Sequence, residues 1–260
     1  MVLSVFPIPS TLKTCRFDLF QSLGSDLARS GLVPKTGDVV VVSSKYVSNA
    51  QGRTVDLHGV QPSAKAGEMA SRFKMSPTIA EVVLRESDAI FGGIPGFVIT
   101  SSDYIMAPNA GIDKSNAKKG TVILYPSDPY EVAEQIRRKF LLSCHVRLGI
   151  IIADSRLMPA RAGTVGVAIA CAGIEPVSDL RGNNDLYGNP LKVTMQAVAD
   201  DLASIANLKM GEGAEAVPAA LIRDSGAKLT HRRISEREMA IPHDQCVYVR
   251  GLGTMRRIGF

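Results

Sequence analysis

Cysteine is scarce and scattered. Cys15, Cys144, Cys171 and Cys246 are the only four in 260 residues, with no CxxC pair and no histidine at ligand spacing. That pattern excludes a disulfide framework and a thiolate zinc site, and reads as isolated thiols in a reducing compartment. His58, His145, His231 and His243 are equally isolated, which favours ordinary core or surface histidines over metal ligands. No apolar run approaches the roughly 20 residues that cross a bilayer. The opening MVLSVFPIPS lacks the charged-then-apolar layout of a signal peptide, and Pro7 and Pro9 would break such a helix. These absences predict a cytoplasmic protein with no membrane partner. There is no Walker A lysine loop, no GxGxxG, no kinase signature and no GxSxG elbow, so none of the common phosphate-loop or triad chemistries is indicated. No repeat, heptad or low-complexity tract appears.

What remains is an ordinary globular composition, 45% hydrophobic and 21% charged. The length suits one large domain or two small ones with a sizeable core. The net charge of +5 is uneven: from Arg223 onward there are eight basic residues against four acidic ones, so that segment carries +4 of it. A basic tail can meet an anionic ligand or nucleic acid. Here only Tyr248 and Phe260 are aromatic, so no stacking platform is evident and a solvated surface is favoured.

Periodicity places the elements. Asp38–Ser43 (DVVVVS) is a β-branched run after a turn, hence a buried strand. Phe17, Phe20, Leu23 and Leu27 repeat at helical spacing over Arg16–Ser30. Ser63–Lys74 and Ser76–Glu86 read as helices, the second capped by Ser76 with Pro77 in its first turn. Phe97–Thr100 and Thr121–Leu124 read as strands, and Pro129–Leu142 as a helix. Val146–Ala153 is a continuous apolar strand with Asp154 at its carboxyl end, the edge where ligands gather in open α/β sheets. Leu191–Met210 is expected as one long helix facing the core with Val193, Ala197, Val198, Leu202, Ile205 and Leu208, stopped by Gly211. Val217–Ile222 is the strand after it.

Three distant stretches then stand out: Asn-Ala-Gly-Ile-Asp at 109–113, Ile-Ile-Ile-Ala-Asp-Ser at 150–155, and Met-Gly-Glu-Gly at 210–213. Each sets an acid beside small or glycine neighbours, where an ordered element is expected to give way to a turn. If folding gathers Asp113, Asp154 and Glu212, they form the oxygen-only set that Mg²⁺ and Mn²⁺ prefer. Glycines beside one of them let backbone amides approach a phosphate. Each stretch also has a plainer account. Asp154 can cap a turn, Asp113 can make an Asp turn with Lys114 and Ser115 at its tip, and Gly211-Glu212-Gly213 can be a helix stop with a surface glutamate.

Taken together the chain resembles the coenzyme F420 γ-glutamyl ligases. The likeness runs through Val5-Phe6-Pro7, SSKYVSNAQGR at 43–53, NAGIDKSN at 109–116, GIIIADS at 149–155, GTVGVAIACAG at 163–173, DLYGNPLKVTMQAVAD at 185–200 and ANLKMGEGAEAVPAALIR at 206–223. It covers residues 1–223 as a catalytic region with room for two subdomains, and leaves 224–260 as a basic segment packed on it or extending it.

The resemblance implies the family's mixed α/β fold, an intertwined homodimer, and a GTP-dependent amide ligase. Such a ligase adds L-glutamate to the phospholactyl carboxylate of the deazaflavin coenzyme F420-0 through an acyl phosphate, with further γ-linked glutamates after it. It implies two ions of Mg²⁺ or Mn²⁺, with K⁺ as an accessory. Asp113 and Asp154 would hold one ion, Ser155 and Glu212 the other. The nucleotide site would draw on Thr11, Leu12, Lys13, Thr14, Ser44, Lys45, Asn49, Asn116 and the loop Met210, Gly211, Glu212, Gly213, Ala214, Glu215, Ala216, Val217. Arg161 is the candidate for a catalytic cation. The chain departs from the family in three places: Asn49 replaces a lysine, Met158-Pro159-Ala160-Arg161 replaces an Arg/aromatic run, and Ser10-Thr11-Leu12 replaces Gly-Leu-Pro. A ligase with a different acceptor, and a non-catalytic relative that binds nucleic acid, are the rival expectations.

Overall fold

The computed structural model describes residues 2–13 and 15–254. It opens with β1 (Ser4–Ile8), α1 (Leu19–Arg29), β2 (Val39–Ser43) and α2 (Ser44–Gln51). Next come β3 (Thr54–Asp56), α3 (Ala64–Phe73), α4 (Pro77–Glu86), β4 (Ala89–Ile94), β5 (Phe97–Ser102), β6 (Ile105–Pro108) and β7 (Thr121–Ile123). Then follow α5 (Pro129–Cys144), β8 (Gly149–Leu157), β9 (Thr164–Ala172), β10 (Ser178–Asp179) and β11 (Met195–Gln196). The described chain finishes with α6 (Val198–Met210), β12 (Ala219–Arg223) and α7 (Val247–Thr254). The fold is mixed α/β, as expected. Two compact units divide it, one from Met1–Arg53 and Pro126–Ser235, the other from Thr54–Tyr125 and Glu236–Phe260. Among the described residues no helix is long and apolar enough to cross a membrane.

The first unit is built on a five-stranded sheet in the order β1-β12-β2-β8-β9. Only β2 and β8 run parallel; the other pairs are antiparallel. Val39–Val42 of β2 are fully buried, and a strand turns alternate side chains to opposite faces, so both faces of the sheet are covered. α6 packs against β9, β12 and β1. α5 packs on β8 and β9, and α1 joins it where Phe20 meets Phe140 edge to face at 5.0 Å. α1 begins later than its apolar period suggests, because the Asp18 carboxylate caps it by accepting the Gln21 amide at 2.8 Å.

The long helix expected over Leu191–Met210 is shorter. Residues before Val198 form a hairpin in which β11 pairs with β10, and Val193 is 84% exposed. The buried face of α6 is Ala199, Leu202, Ala203, Ala206 and Met210, which shares only Leu202 with the expected stripe, and Leu208 is 82% exposed. Small alanines on that face let the helix lie close to the sheet, a requirement that a count of large apolar residues misses. Gly211 does stop it, with a left-handed φ of 78°.

The second unit has its own core, in which Met69, Phe73, Ile79, Val82 and Val83 of α3 and α4 meet Val98, Val122 and Leu124. Ser63 caps α3 by accepting the Ala66 amide, whereas Ser76 before α4 bonds the Thr78 hydroxyl and takes no backbone amide. β4, β5 and β6 form an antiparallel sheet, and β3 pairs with β7. His243 lies against Phe91 and bonds the Ser101 hydroxyl at 3.0 Å, fastening the 236–254 segment to that sheet.

Candidate active site

Strand pairing brings four distant segments of the first unit to one end of its sheet. β1 opposes β12 with Ile8 against Ala219, so the chain leaving β1 meets the chain entering β12. The Ser10 amide donates to the Ala216 carbonyl at 2.9 Å. β12 opposes β2 with Ala219 against Val42, and the Ser43 amide donates to Pro218 at 2.8 Å. β2 and β8 run parallel with Ser43 beside Ala153. Residues 10–13, 44–49, 154–155 and 211–217 therefore share one end, at the carboxyl edge of the parallel pair.

Asp154 sits there, but not at the end of a strand. β2 stops opposite Ala153, while β8 runs on with β9 as a two-stranded ribbon through Asp154 opposite Val167, Ser155 opposite Gly166, and Leu157 opposite Thr164. The alternating valines of β9 supply the ladder that continues it. The expected ending at Ala153 is thus corrected: the sheet narrows at that point and β8 does not stop. The register slips by one residue between Ile152 and Ala153, a bulge that adds twist just below Asp154. Asp200 of α6 takes the Ala168 amide at 2.9 Å beside that slip. Burial pushes the Asp200 carboxyl above its usual range, against the pull of that hydrogen bond and of the Arg156 charge.

Ser44 opens α2 and donates its hydroxyl to Asp154 Oδ1 at 3.0 Å. Two residues on, Tyr46 is buried in a cluster that sequence reasoning missed: its hydroxyl bonds Ser10 at 2.9 Å and Ser22 at 2.8 Å, and donates to Asp26 at 3.1 Å. Burial raises the Tyr46 pKa above its ordinary value, opposed by the serine hydrogen bonds. α2 itself was unread because SKYVSNAQ carries too few apolar residues to show a period.

Glu212 follows α6 and accepts at one oxygen, Oε1, from Thr164 at 3.0 Å and Asn207 at 2.8 Å. The glycine loop folds on its own acid: the Gly213 amide donates to Glu215 at 2.7 Å, and a Cβ at Gly211 would lie 2.4 Å from the Glu215 carboxyl carbon. Met210 is buried as the last residue of α6. Thr11 and Leu12 are exposed, and the Lys13 ammonium stands 5.5 Å over the Phe17 ring. Thr14 lies outside the described residues. Lys45 and Asn49 are partly buried on α2, while Arg161 is exposed in the turn that joins β8 to β9.

Asp113 and Asn116 belong to the second unit. Asn109, Ala110 and Gly111 adopt φ of 50°, 55° and 69° in succession, a costly arrangement for two non-glycine residues. The turn is held because Asn109 accepts the Val98 amide and donates to Gly96, and because Thr100 accepts the Ala110 amide. A Cβ at Gly111 would lie 2.2 Å from the Tyr125 ring. The turn delivers Asp113 to a bridge with Ile123, where its carboxylate accepts the Ser115 amide at 2.6 Å. Asn116, also left-handed at 54°, is exposed.

Among the described residues no three His, Cys, Asp or Glu side chains gather closely enough to hold an ion by themselves. Mg²⁺ is usually held by one or two carboxylates together with substrate phosphates. Carboxylate and hydroxyl oxygens are the donor type that suits a hard divalent ion. Three basic residues toward the chain end of the first unit are paired away from this sheet end: Arg223 forks onto Asp38 at 2.7 and 2.9 Å, Arg232 pairs with Glu175, and Arg233 pairs with Glu131.

A family model described as F420-0:gamma-glutamyl ligase matches residues 15–224. The coenzyme F420:L-glutamate ligase of Methanopyrus kandleri is 41% identical over 188 residues, covering 72% of this chain and 75% of that protein. The protein of the same name from Archaeoglobus fulgidus is 39% identical over 203 residues, covering 77% and 82% respectively. That from Methanocaldococcus jannaschii is 37% identical over 213 residues, covering 82% and 84%.

Proposed function

Because the chain belongs to the F420-0:gamma-glutamyl ligase family, we propose that it joins L-glutamate to the phospholactyl carboxylate of coenzyme F420-0 at the expense of GTP. A carboxylate oxygen is a poor leaving group and must first be activated. It attacks the γ-phosphorus of GTP, the bond to the β–γ bridging oxygen breaks, and GDP leaves. The glutamate amine then attacks the acyl carbon, loses a proton, and inorganic phosphate departs. Later rounds extend the chain through γ-linkages.

The observation that carries this proposal is the meeting of residues 10–13, 44–49, 154–155 and 211–217 at one sheet end, with Ser44 bonded to Asp154. In this account Asp154, Ser155 and Glu212 of the first unit would hold ions of Mg²⁺ or Mn²⁺. Such ions, when bound, neutralise charge on nucleotide and acyl phosphate. Ser44 orients Asp154 through its hydroxyl. Lys13, Lys45, Asn49 and the 211–217 loop of the first unit face the nucleotide, and a phosphate reaches the Gly213 amide once Glu215 turns away. Arg161, at the ribbon turn, meets the acceptor or its phosphate. The altered 158–161 turn favours a second reading, a ligase of the same chemistry with a different acceptor. A panel of carboxylate acceptors scored by phosphate release separates the two.

A homodimer belongs to the same proposal. Leu186 and Tyr187 are fully exposed at the tip of the 178–196 hairpin, although Asp185 rigidifies that tip by accepting the Tyr187 and Asn189 amides. Ile94, Phe97 and Ile99 are exposed on β4 and β5. Apolar surface of this kind marks an interface, and light scattering on the purified protein gives its mass. The activity itself is tested by mass spectrometry of the deazaflavin after incubation with GTP, Mn²⁺ and L-glutamate. Glutamate-sized increments are expected. An unchanged mass, with no metal-dependent GTP consumption, would refute the ligase.

A further inference from the structure

α6 carries three polar side chains at i, i+4 and i+7, and all three serve the ribbon end. Asp200 accepts the Ala168 amide at 2.9 Å, Ser204 donates to the Gly166 carbonyl at 2.7 Å, and Asn207 donates to Glu212 at 2.8 Å. That spacing puts them on one helix face. β9 comes this close because residue 166 has no side chain: a Cβ there would stand 2.4 Å from the Ala203 carbonyl oxygen and 2.6 Å from the Asn207 Cβ. Gly166 is also the ladder partner of Ser155. One helix face thus sets the strand opposite Ser155 and the side chain of Glu212 together.

Glu212 is exposed, and an exposed glutamate ordinarily samples many rotamers. Here Asn207 and Thr164 both donate to the same oxygen, Oε1. Two donors on one oxygen select one orientation of the carboxyl plane and so direct its other oxygen. We propose that Asn207 and Thr164 are positioning residues, which hold Glu212 by Oε1 so that its second oxygen is presented, already ordered, to a divalent ion. The proposal rests on the reading of Glu212 as an ion ligand. Neither residue touches the ion; both act by sparing the cost of ordering the ligand on binding.

The test is Mn²⁺ affinity of the full chain with a non-hydrolysable GTP analogue, read from the electron paramagnetic resonance signal of free Mn²⁺. Asn207→Ala and Thr164→Val should each weaken binding about tenfold, the lower end of outer-shell effects. Thr164→Ser, which keeps the hydroxyl, should restore it. Thr164 is exposed, so its variants should melt with the wild type and carry the test even if Asn207→Ala is unstable. Wild-type affinity in Thr164→Val, alongside weak binding in Glu212→Gln, would overturn the positioning role and leave the ligand assignment standing. Wild-type affinity in Glu212→Gln would overturn both.

Discussion

Gly166→Ala should destabilise the first unit by about 1–3 kcal/mol, the usual range for overpacking a close contact. The added Cβ would sit 2.4 Å from the Ala203 carbonyl oxygen and 2.6 Å from the Asn207 Cβ. Carbon atoms in contact prefer about 3.5–4.0 Å, so helix and strand must part by roughly 1 Å. α6 has no easy retreat, since Leu202, Ala203 and Ala206 are at most 4% exposed in the core it shares with the sheet. The Ser204 bond to Gly166 would stretch as they part. At about 2–4 °C per kcal/mol for a domain of 150–250 residues, the melting temperature should fall by about 2–12 °C. Gly24→Ala is the matched control. It lies inside α1 with nothing within 4 Å of its Cβ position, so alanine should stabilise by about 0.5–1 kcal/mol. Thermal unfolding followed by circular dichroism compares the two. If Gly166→Ala melts with or above the wild type, the close approach of β9 to α6 is wrong, and the positioning of Glu212 by α6 loses its basis.

Asp154→Asn keeps the shape that receives the Ser44 hydroxyl; melting should change little while Mn²⁺-dependent turnover drops by orders of magnitude, and wild-type turnover at limiting Mn²⁺ would refute the ligand role. Gly213→Val meets only ordinary contacts, 3.4 Å to the Glu215 oxygens, so calorimetric GTP affinity should suffer more than stability; equal losses would point to a structural cap. Asn49→Lys should tighten GTP by roughly 1–2 kcal/mol if that position faces phosphate; if Arg161 has taken over, Arg161→Ala should weaken GTP instead, and no change in either removes this surface from the nucleotide site. Tyr46→Phe should cost about 1–3 kcal/mol by urea unfolding at neutral pH, because buried Asp26 loses a donor. Since burial raises the Tyr46 pKa in the folded protein, its contribution is complete below the unfolded value near pH 10 and fades as pH climbs through the folded one. The wild type should therefore lose alkaline stability that Tyr46→Phe has already lost, and parallel alkaline limbs would count against this account.

Several elements were legible because their cause is local. The β-branched run before Ser43, Pro77 at the start of α4 and the apolar spacing of α5 all act between residues within a turn or two of each other. Gly211 as the stop of α6 was legible for the same reason. The NAGID and MGEG stretches were legible as special turns because glycine and asparagine mark backbone positions that few residues adopt. Asn109 and Gly111 bear this out, in a run of left-handed residues that ends at Asp113. Asn207, Thr164 and Tyr46 left no such mark. A lone polar side chain on a helix or at a strand end looks like a solvated surface until its partner is known.

The start of α6 shows where local reasoning fails. Val193 and Leu191 fit a helical stripe, yet their backbone joins the hairpin that begins at β10, and pairing overrides period. β8 and β9 fail in the opposite direction: the apolar run of Val146–Ala153 cannot announce that the strand continues through Asp154, because β9 supplies that continuation. The sequence by itself determined many of the strands, helices and special turns, through propensity, capping and dihedral limits. It did not determine that Ser44, Asp154, Thr164 and Glu212 share one end of a sheet. That depends on which strands pair, in what direction and register, and all of these apolar strands carry nearly the same code. Only the cost of burying every face and bonding every backbone group at once selects among the pairings, and that selection belongs to the tertiary structure.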